Sequence, residues 1–238
     1  METNMEYRAA RELLLERAAP ISRRERVPLQ AALGRVLAEE ITAARDVPPF
    51  DRSPFDGYAF RAADTLGAGE AHGVTLKILE EIPAGGVATQ SVIPSTAAKI
   101  LTGAPIPPGA DAVVKYEETE FTDTRVTVFK AFSAGENIVP QGEDVKAGAL
   151  LARPGTVIDS ALLGTLAAQN IPQPLVYATP RVGVITSGSE LAEPGEALTG
   201  GKIVNTNRYA FWGAVQSVGC EPVFSARQRT TRMSSRTV

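Results

Sequence analysis

The stretch RVGVITSGSE, residues 181–190, decides the fold class of the last part of the chain. Arg181–Ile185 is a short apolar run, typical of a strand buried in a parallel sheet. Thr186–Glu190 follows it directly as a turn of small and polar residues. The stretch therefore places a small-residue turn at the carboxyl end of a parallel strand, which is the edge where ligands bind in open α/β sheets.

The residues that follow complete one strand–helix–strand unit. Asn205–Asn207 offers N-caps for a helix, and Gly219 is the natural residue just beyond its C-terminus. Cys220–Ser225 predicts the second strand. Strand, turn, helix and strand form the opening of a doubly wound α/β domain. Because one such unit covers only one side of a sheet, we predict a truncated α/β domain over residues 179–228.

The middle of the chain, residues 47–140, is rich in glycine and proline and predicts a β-rich domain. Short apolar runs lie between turn signals, which is the pattern of strands in such a domain. Thr122–Thr124 predicts a hairpin turn between two of them. The predicted strands are Val74–Leu79, Ala98–Leu101, Ala112–Tyr116 and Arg125–Phe129.

Helices are predicted on both sides of this β-rich region. Thr3 and Glu6 have the spacing of a capping box, and the amphipathic segment that they begin ends before Pro20. Val27–Ile41 predicts a second, shorter helix, and Asp159–Gln169 a third. We therefore predict a helical domain built from residues 1–46 and 141–178.

The last ten residues, 229–238, have the sequence RTTRMSSRTV, with three arginines and no acids. They show neither helical nor strand periodicity, so we expect an aberrant or disordered tail. A basic binding tail is the functional alternative for the same residues.

Composition excludes several classes of protein. The 238 residues are 44% hydrophobic and 21% charged with a net charge of −3, so a packed core is expected and a nucleic-acid partner is not. With one histidine, His72, and one cysteine, Cys220, a zinc site or an internal disulfide is not expected. The chain begins without a signal-peptide pattern and has no membrane-length apolar run, so we expect a cytoplasmic protein.

Four loops carry the candidate chemistry. In the first, Asp51 and Asp56 lie five residues apart between prolines, and two such carboxylates could hold a hard cation such as Mg²⁺. The alternative is that Asp56-Gly57 is a turn and that Asp51 caps a helix or turn. In the second loop, Thr102 and the N–H of Gly103 could meet a phosphate, and an ordinary turn is the alternative.

The third and fourth loops also present acids and hydroxyls. Paired acids after a glycine, up to Asp144, fit either a cation site or a solvated turn. In the fourth loop, the backbone at Ser187 and Gly188 could approach an anion, with Glu190 in the same crevice. No P-loop and no Rossmann glycine pattern occurs, so neither a nucleoside triphosphatase nor a dinucleotide site is supported.

Taken in series, these motifs resemble the MoeA family of molybdopterin molybdenumtransferases, to which the C-terminal domain of gephyrin is also similar. The resemblance covers residues 5–228 and is carried by PPFDRSPFDGYA, LTGAPIPPGADAVV, AGENI, QGEDV, GVITSGSEL and GGKIVNTNRYA. It implies a multidomain α+β fold: an N-terminal helical segment that dimerises, a β-rich domain, and the start of an incomplete three-layer α/β domain of the molybdopterin-binding-like kind.

The resemblance also implies a reaction. Such proteins insert molybdate into adenylated molybdopterin with release of AMP, depend on Mg²⁺, and work as homodimers with a cleft between domains of the two subunits. The positions that match the cleft are Asp56, Thr102, Asp144 and Glu190 as catalytic residues, and Ser187 and Gly188 as substrate-binding residues.

The sequence departs from the family pattern in one respect. The later glycine- and serine-rich loop that should bind the pterin phosphate has no counterpart, so we expect little insertion activity from residues 1–238 alone. A non-catalytic, dimerising interaction module is the alternative function. A generic Mg²⁺-dependent phosphate enzyme is a third possibility, which rests only on the acidic loops.

Overall fold

The structure is a computed structural model that describes residues 5–224. Within those residues the α-helices are α1 (Tyr7–Arg17), α2 (Ser160–Ala168) and α3 (Thr206–Ser217). The strands of the same range are β1 (Arg24–Arg26), β2 (Ile41–Thr42), β3 (Gly57–Phe60), β4 (Val74–Ile82), β5 (Thr96–Ile100), β6 (Ala112–Lys115), β7 (Thr119–Phe121), β8 (Arg125–Val128), β9 (Leu150–Ala152), β10 (Leu175–Tyr177), β11 (Arg181–Val184), β12 (Leu191–Ala192), β13 (Ile203–Val204) and β14 (Glu221–Phe224).

The described chain divides into two compact units. Residues 5–40 and 153–224 form one, which we call the split unit, and Ile41–Ala152 forms the other, the sheet unit. The sheet unit is one continuous stretch, and its first and last strands, β2 and β9, pair antiparallel with Ile41 opposite Ala152. The predicted division into three domains stays a prediction.

The sheet unit is built on a six-stranded mixed sheet in the order β6-β3-β5-β4-β8-β7. Only the β4–β5 pair is parallel among these pairings. The strands predicted near residues 74, 98, 112 and 125 are confirmed. The predicted hairpin turn at residues 122–124 is present, but it joins β8 to β7, a strand that the sequence prediction missed. The sequence prediction missed β3, which lies inside the PPFDRSPFDGYA motif.

Both faces of this sheet are buried at β3. Every residue of β3 is buried: Tyr58 and Phe60 belong to one apolar cluster, and Ala59 belongs to the cluster on the other side. Successive residues of a strand point to opposite faces, so a strand that is apolar throughout is covered on both sides. The ring of Phe60 meets that of Phe132 edge to face, with centroids 5.2 Å apart. This central position fixes the strand that carries Asp56 at its start.

The split unit contains the predicted first helix and the predicted helix near residue 160. Glu6 caps α1, because its carboxylate accepts from the N–H of Arg8 and Ala9. Asp159 caps α2 in the same way through the N–H of Leu162. Thr3, the other half of the predicted capping box, lies outside the described residues.

The helix predicted over Val27–Ile41 is wrong. A single 3-10 turn, Leu29–Ala31, is followed by extended backbone, and Leu37 bridges Val176 of β10. The N–H of Leu37 donates to the carbonyl of Thr156 at 2.8 Å, so its hydrogen bonds go to residues far along the chain. Pairing with distant strands here outweighs the helical spacing of the leucines.

The last part of the split unit is the predicted strand–helix–strand unit. β11 and β14 pair in parallel with α3 between them, and Gly219 has a φ of +75° just after the helix. β12 and β13 form a second parallel pair. Ser225 and the tail 229–238 lie outside the described residues. Over residues 5–224, no helix has the length and apolar character that crossing a membrane would take.

Candidate functional site

The Asp56–Thr102 pair is the first element of the site. Asp56 directly precedes β3 and Thr102 lies just beyond β5, and these antiparallel strands place Gly57 opposite Ile100. The backbone N–H and the hydroxyl of Thr102 both donate to Oδ1 of Asp56, each at 2.7 Å. The N–H bond, and after it the hydroxyl bond, hold the pKa of Asp56 below its ordinary value. The carboxylate is therefore ionised at neutral pH.

The pairing of β3 with β6 explains why a glycine follows Asp56. Gly57 pairs with Lys115 of β6, and a Cβ at Gly57 would collide with the carbonyl oxygen of Val114. The sequence Asp56-Gly57 is thus the start of a central strand and not a turn. The close approach of β3 and β6 requires a residue without a side chain.

An open pocket of about 500 Å³ surrounds the Asp56 carboxylate. Three acids, one lysine and a phenylalanine contribute to it. The lining residues are Pro54, Phe55, Asp56, Thr102, Lys115, Glu117 and Glu118. The pocket therefore combines an ionised carboxylate, a hydroxyl and a single cation at one end of the sheet.

For Asp51 the structure favours the alternative of a turn cap, and its pairing with Asp56 stays a prediction. Oδ1 of Asp51 accepts the N–H of Gln141 at 2.7 Å, and the Asp56 pocket is lined without it. Asp46 holds the same segment, since it accepts from the Gln141 side chain and from the N–H of Ala147. These two acids anchor a loop about 90 residues further along, which is a structural use of charge.

The predicted phosphate contact through the N–H of Gly103 is also wrong. That N–H donates to the carbonyl of Ser53 at 2.8 Å, and the N–H of Thr102 is used on Asp56. Gly103 has a φ of +83°, which explains the glycine by backbone conformation. The loop after β5 therefore shapes the pocket, and its two N–H groups point to protein acceptors.

Asp144 lies in the loop that Asp46 and Asp51 anchor. Its N–H donates to the carbonyl of Val47 at 2.9 Å, and the residue is exposed. It does not line the Asp56 pocket. The earlier acid of the same pair of motifs, Glu136, has a structural role, because it accepts the N–H of Ser133 and pairs with Lys130.

A second group of predicted residues meets in the split unit, at the turn after β11. Ser187 and Glu190 line a pocket of about 320 Å³ together with Asn205, Asn207 and residues around them. Gly188 lies beneath the Glu190 carboxylate: a Cβ there would be 2.6 Å from Oε1 of Glu190. A side chain at residue 188 would displace the Glu190 carboxylate from this position over the turn.

Asn205 links the turn after β11 to the start of α3. It is 1% exposed, caps α3 through the N–H of Arg208 at 3.3 Å, and donates from Nδ2 to Oγ1 of Thr186 at 2.8 Å. The sequence predicted the helix cap. It could not predict the bond to Thr186, because the two residues are 19 positions apart and no local pattern shows that they meet.

The structure thus places Asp56 with Thr102 in the sheet unit, and Ser187, Gly188 and Glu190 together in the split unit. Asp144 joins neither pocket. Among residues 5–224, no three His, Cys, Asp or Glu side chains are grouped so as to hold a metal ion by themselves. Lys115 was missed by the sequence analysis, because only the pairing of β6 with β3 brings it beside Asp56.

The fold and these two pockets define an α+β protein in which acids and hydroxyls are held at the ends of strands. Residues 5–169 match the family model described as "MoeA N-terminal region (domain I and II)". The chain belongs to the MoeA family, as its motifs predicted.

Named relatives and solved structures agree with this assignment. A molybdopterin molybdenumtransferase of Staphylococcus epidermidis is 40% identical over 181 residues, 76% of this chain and 43% of the relative. One from Staphylococcus aureus is 38% identical over 195 residues, 82% of this chain and 46% of the relative. The chain therefore spans less than half the length of these curated relatives.

Two crystal structures of a molybdopterin biosynthesis moeA protein from Pyrococcus horikoshii have the same fold. One is 41% identical with a TM-score of 0.85, over 96% of this chain and 61% of that one. The other is 35% identical with a TM-score of 0.80, over 94% of this chain and 58% of that one.

Proposed function

We propose that the chain acts in molybdenum cofactor biosynthesis as a molybdopterin molybdenumtransferase, which inserts molybdate into adenylated molybdopterin and releases AMP. Relatives about 40% identical carry that enzyme name. The observation that carries the proposal is the Asp56–Thr102 pair, an ionised carboxylate fixed at the mouth of an open pocket. A reaction at a pyrophosphate linkage uses such a carboxylate to recruit a divalent cation.

The same pocket supports a Mg²⁺ requirement. Mg²⁺ is usually held by one or two carboxylates together with substrate phosphates and water, so a cluster of three protein ligands is not needed. The hydrogen bonds described for Asp56 go to Oδ1 and none of them to Oδ2, and Asp56 and Glu117 both line the pocket. We propose that Asp56 and Glu117 hold the ion, which when bound would polarise the phosphorus of the AMP linkage.

The remaining predicted residues are proposed to contact substrate. Glu190 and Ser187 line a pocket at the carboxyl end of a parallel strand, with Gly188 allowing the carboxylate to lie over the turn. Ligands bind at this edge of open α/β sheets. Asp144 is exposed on an anchored loop, so its carboxylate is accessible to a substrate.

The test follows AMP release from adenylated molybdopterin in the presence of molybdate and Mg²⁺, with purified protein in excess over substrate so that slow release is measured. Asp56→Asn keeps an oxygen that accepts both Thr102 donors but removes the charge, and we expect AMP release to fall about 100-fold or more. Asp123→Asn, in the hairpin turn between β7 and β8, is the matched control with the same charge loss. Equal rates for the Asp56→Asn protein and the unaltered protein would contradict the proposal.

The same assay examines the expectation of little activity from residues 1–238 alone. The rate is compared with that of a full-length relative at equal concentration. Turnover comparable with the relative contradicts that expectation, whereas Mg²⁺-dependent binding of adenylated molybdopterin with slow AMP release supports it.

We further propose that the protein is a homodimer. Helix α1 has no buried residue, and Leu14 and Leu15 are 71% and 58% exposed. An apolar face of this kind gains free energy when a second copy covers it. Light scattering after size exclusion is expected to give twice the chain mass, and Leu14→Glu to give the monomer. A stable dimer that fails to bind substrate would favour the alternative of a non-catalytic module.

We also propose a cytoplasmic location. The chain has one cysteine, Cys220, which is free in the structure and suits a reducing compartment. Cell fractionation with an antibody against the protein tests this, and recovery with the membrane or extracellular fraction contradicts it.

A further inference from the structure

One lysine in the Asp56 pocket differs from its neighbours in the sheet unit. Lys99 pairs with Glu81 at 2.8 Å, and Lys130 lies 3.3 Å from Glu136. Lys115 is partly buried and lines the pocket, yet among the described residues no hydrogen bond or ion pair is formed by its ammonium group. An ammonium group at a pocket wall without a carboxylate partner has N–H donors that a ligand can use.

The position of Lys115 is fixed by its surroundings. Lys115 lies opposite Gly57, the residue after Asp56, in the β3–β6 pairing. Its Nζ lies 4.3 Å from the centroid of the Phe55 ring. A phenyl ring attracts an ammonium group through its π face. It does not neutralise the charge, so Phe55 orients Lys115 and leaves its N–H donors available.

The other donors at this end of the sheet are already used. The N–H and hydroxyl of Thr102 donate to Asp56, and the N–H of Gly103 donates to Ser53. Lys115 is the only Lys or Arg among the residues that line the pocket in the described chain. An anion that enters the pocket therefore has one protein cation to meet, beside carboxylates that repel it.

We infer that Lys115 binds an oxygen of a tetrahedral oxyanion in the Asp56 pocket and is the residue that admits an anionic substrate there. The inference rests on the proposed function and deepens it, because it names the group that offsets the acids. The ligand chemistry is that of a pyrophosphate group or of molybdate, and separate titrations distinguish these two sources.

The test is calorimetric titration of the full chain with inorganic pyrophosphate and, separately, with molybdate, both in the presence of Mg²⁺. Lys115→Met removes the charge with little change in length, and Lys115→Arg keeps the charge. Lys130→Met is the matched control: Lys130 also lies over a ring, 4.4 Å from that of Phe132, but it is ion-paired.

For the anion that the pocket takes, we expect Lys115→Met to weaken binding about 10-fold or more, since hydrogen bonds to charged groups are the stronger kind. Lys115→Arg and Lys130→Met are expected to bind as the unaltered protein does. The inference fails if Lys115→Met binds normally, if Lys130→Met weakens binding equally, or if the unaltered protein binds neither anion. If it fails while Asp56→Asn still abolishes AMP release, the proposed function stands. If Lys115 binds the anion and Asp56→Asn leaves AMP release unchanged, the proposed function fails alone.

Discussion

Replacing Asn205 with alanine is expected to loosen α3 by about 2 kcal/mol. Loss of an N-cap costs about 1 kcal/mol, and loss of the bond to Thr186 costs about 1 kcal/mol more, because the partner hydroxyl is left without its donor. Asn205 is buried, so water does not replace it readily. The assay is hydrogen exchange of the α3 amides, above all that of Arg208, which reports local opening. An increase of about 30-fold in the exchange rate corresponds to this loss.

A double-mutant cycle separates the two contributions. Thr186→Val removes only the hydroxyl, and we expect a loss of about 1 kcal/mol. Because both changes break the same bond, the double variant should lose about 2 kcal/mol and not about 3. Fully additive losses would show that the Asn205–Thr186 bond does not stabilise the turn, and the reasoning would be refuted. Asn207→Ala, in the same pocket, is the control that should leave exchange unchanged.

Three further outcomes concern the sheet unit. Thr102→Val removes one donor to Asp56, so the pKa of Asp56 should rise towards its ordinary value in an NMR titration. Stability from the lowered pKa is present above the unfolded-state pKa and is lost as pH falls through the folded-state pKa, so this variant should lose less stability in acid. Asp56→Asn should lower the Tm only slightly, because both Thr102 donors keep an acceptor oxygen and only its charge is lost; a large fall in Tm would contradict this. Gly57→Ala should destabilise the protein by about 3 kcal/mol through collision with the Val114 carbonyl, whereas Gly67→Ala, with nothing within 4 Å, should change urea unfolding by less than about 0.5 kcal/mol.

Local patterns predicted those elements whose partners lie nearby in sequence. The turn between β7 and β8 and the unit of β11, α3 and β14 follow from turn residues, caps and short apolar runs. The helix prediction for Val27–Ile41 was wrong for the opposite reason. Leu33 and Leu37 are spaced as in a helix, but Leu33 is 60% exposed and Leu37 is fully buried against a strand about 140 residues away. Such a pairing leaves no periodic signal in either segment.

The residues of the functional site could also be predicted only where a local pattern marks them. Hydroxyl and acid types in proline-braced loops predicted Asp56 and Thr102, and the β3–β5 register brings them into contact. The sequence could not separate Asp56 from Asp51, since both are aspartates in the same proline-braced loop. What separates them is that Gln141, 90 residues from Asp51, donates to it. Lys115 lacked any motif, because its role arises from the strand opposite.

The antiparallel pair of β2 and β9 has a consequence for how the gene can be rearranged. The chain enters the sheet unit at Ile41 and leaves it at Ala152, and these residues face each other in one ladder. Their Cα atoms are thus about 5 Å apart, a gap that one or two glycines span. We therefore expect residues 41–152 to tolerate closure into a ring, or exchange as a block between relatives, better than a segment whose ends lie far apart.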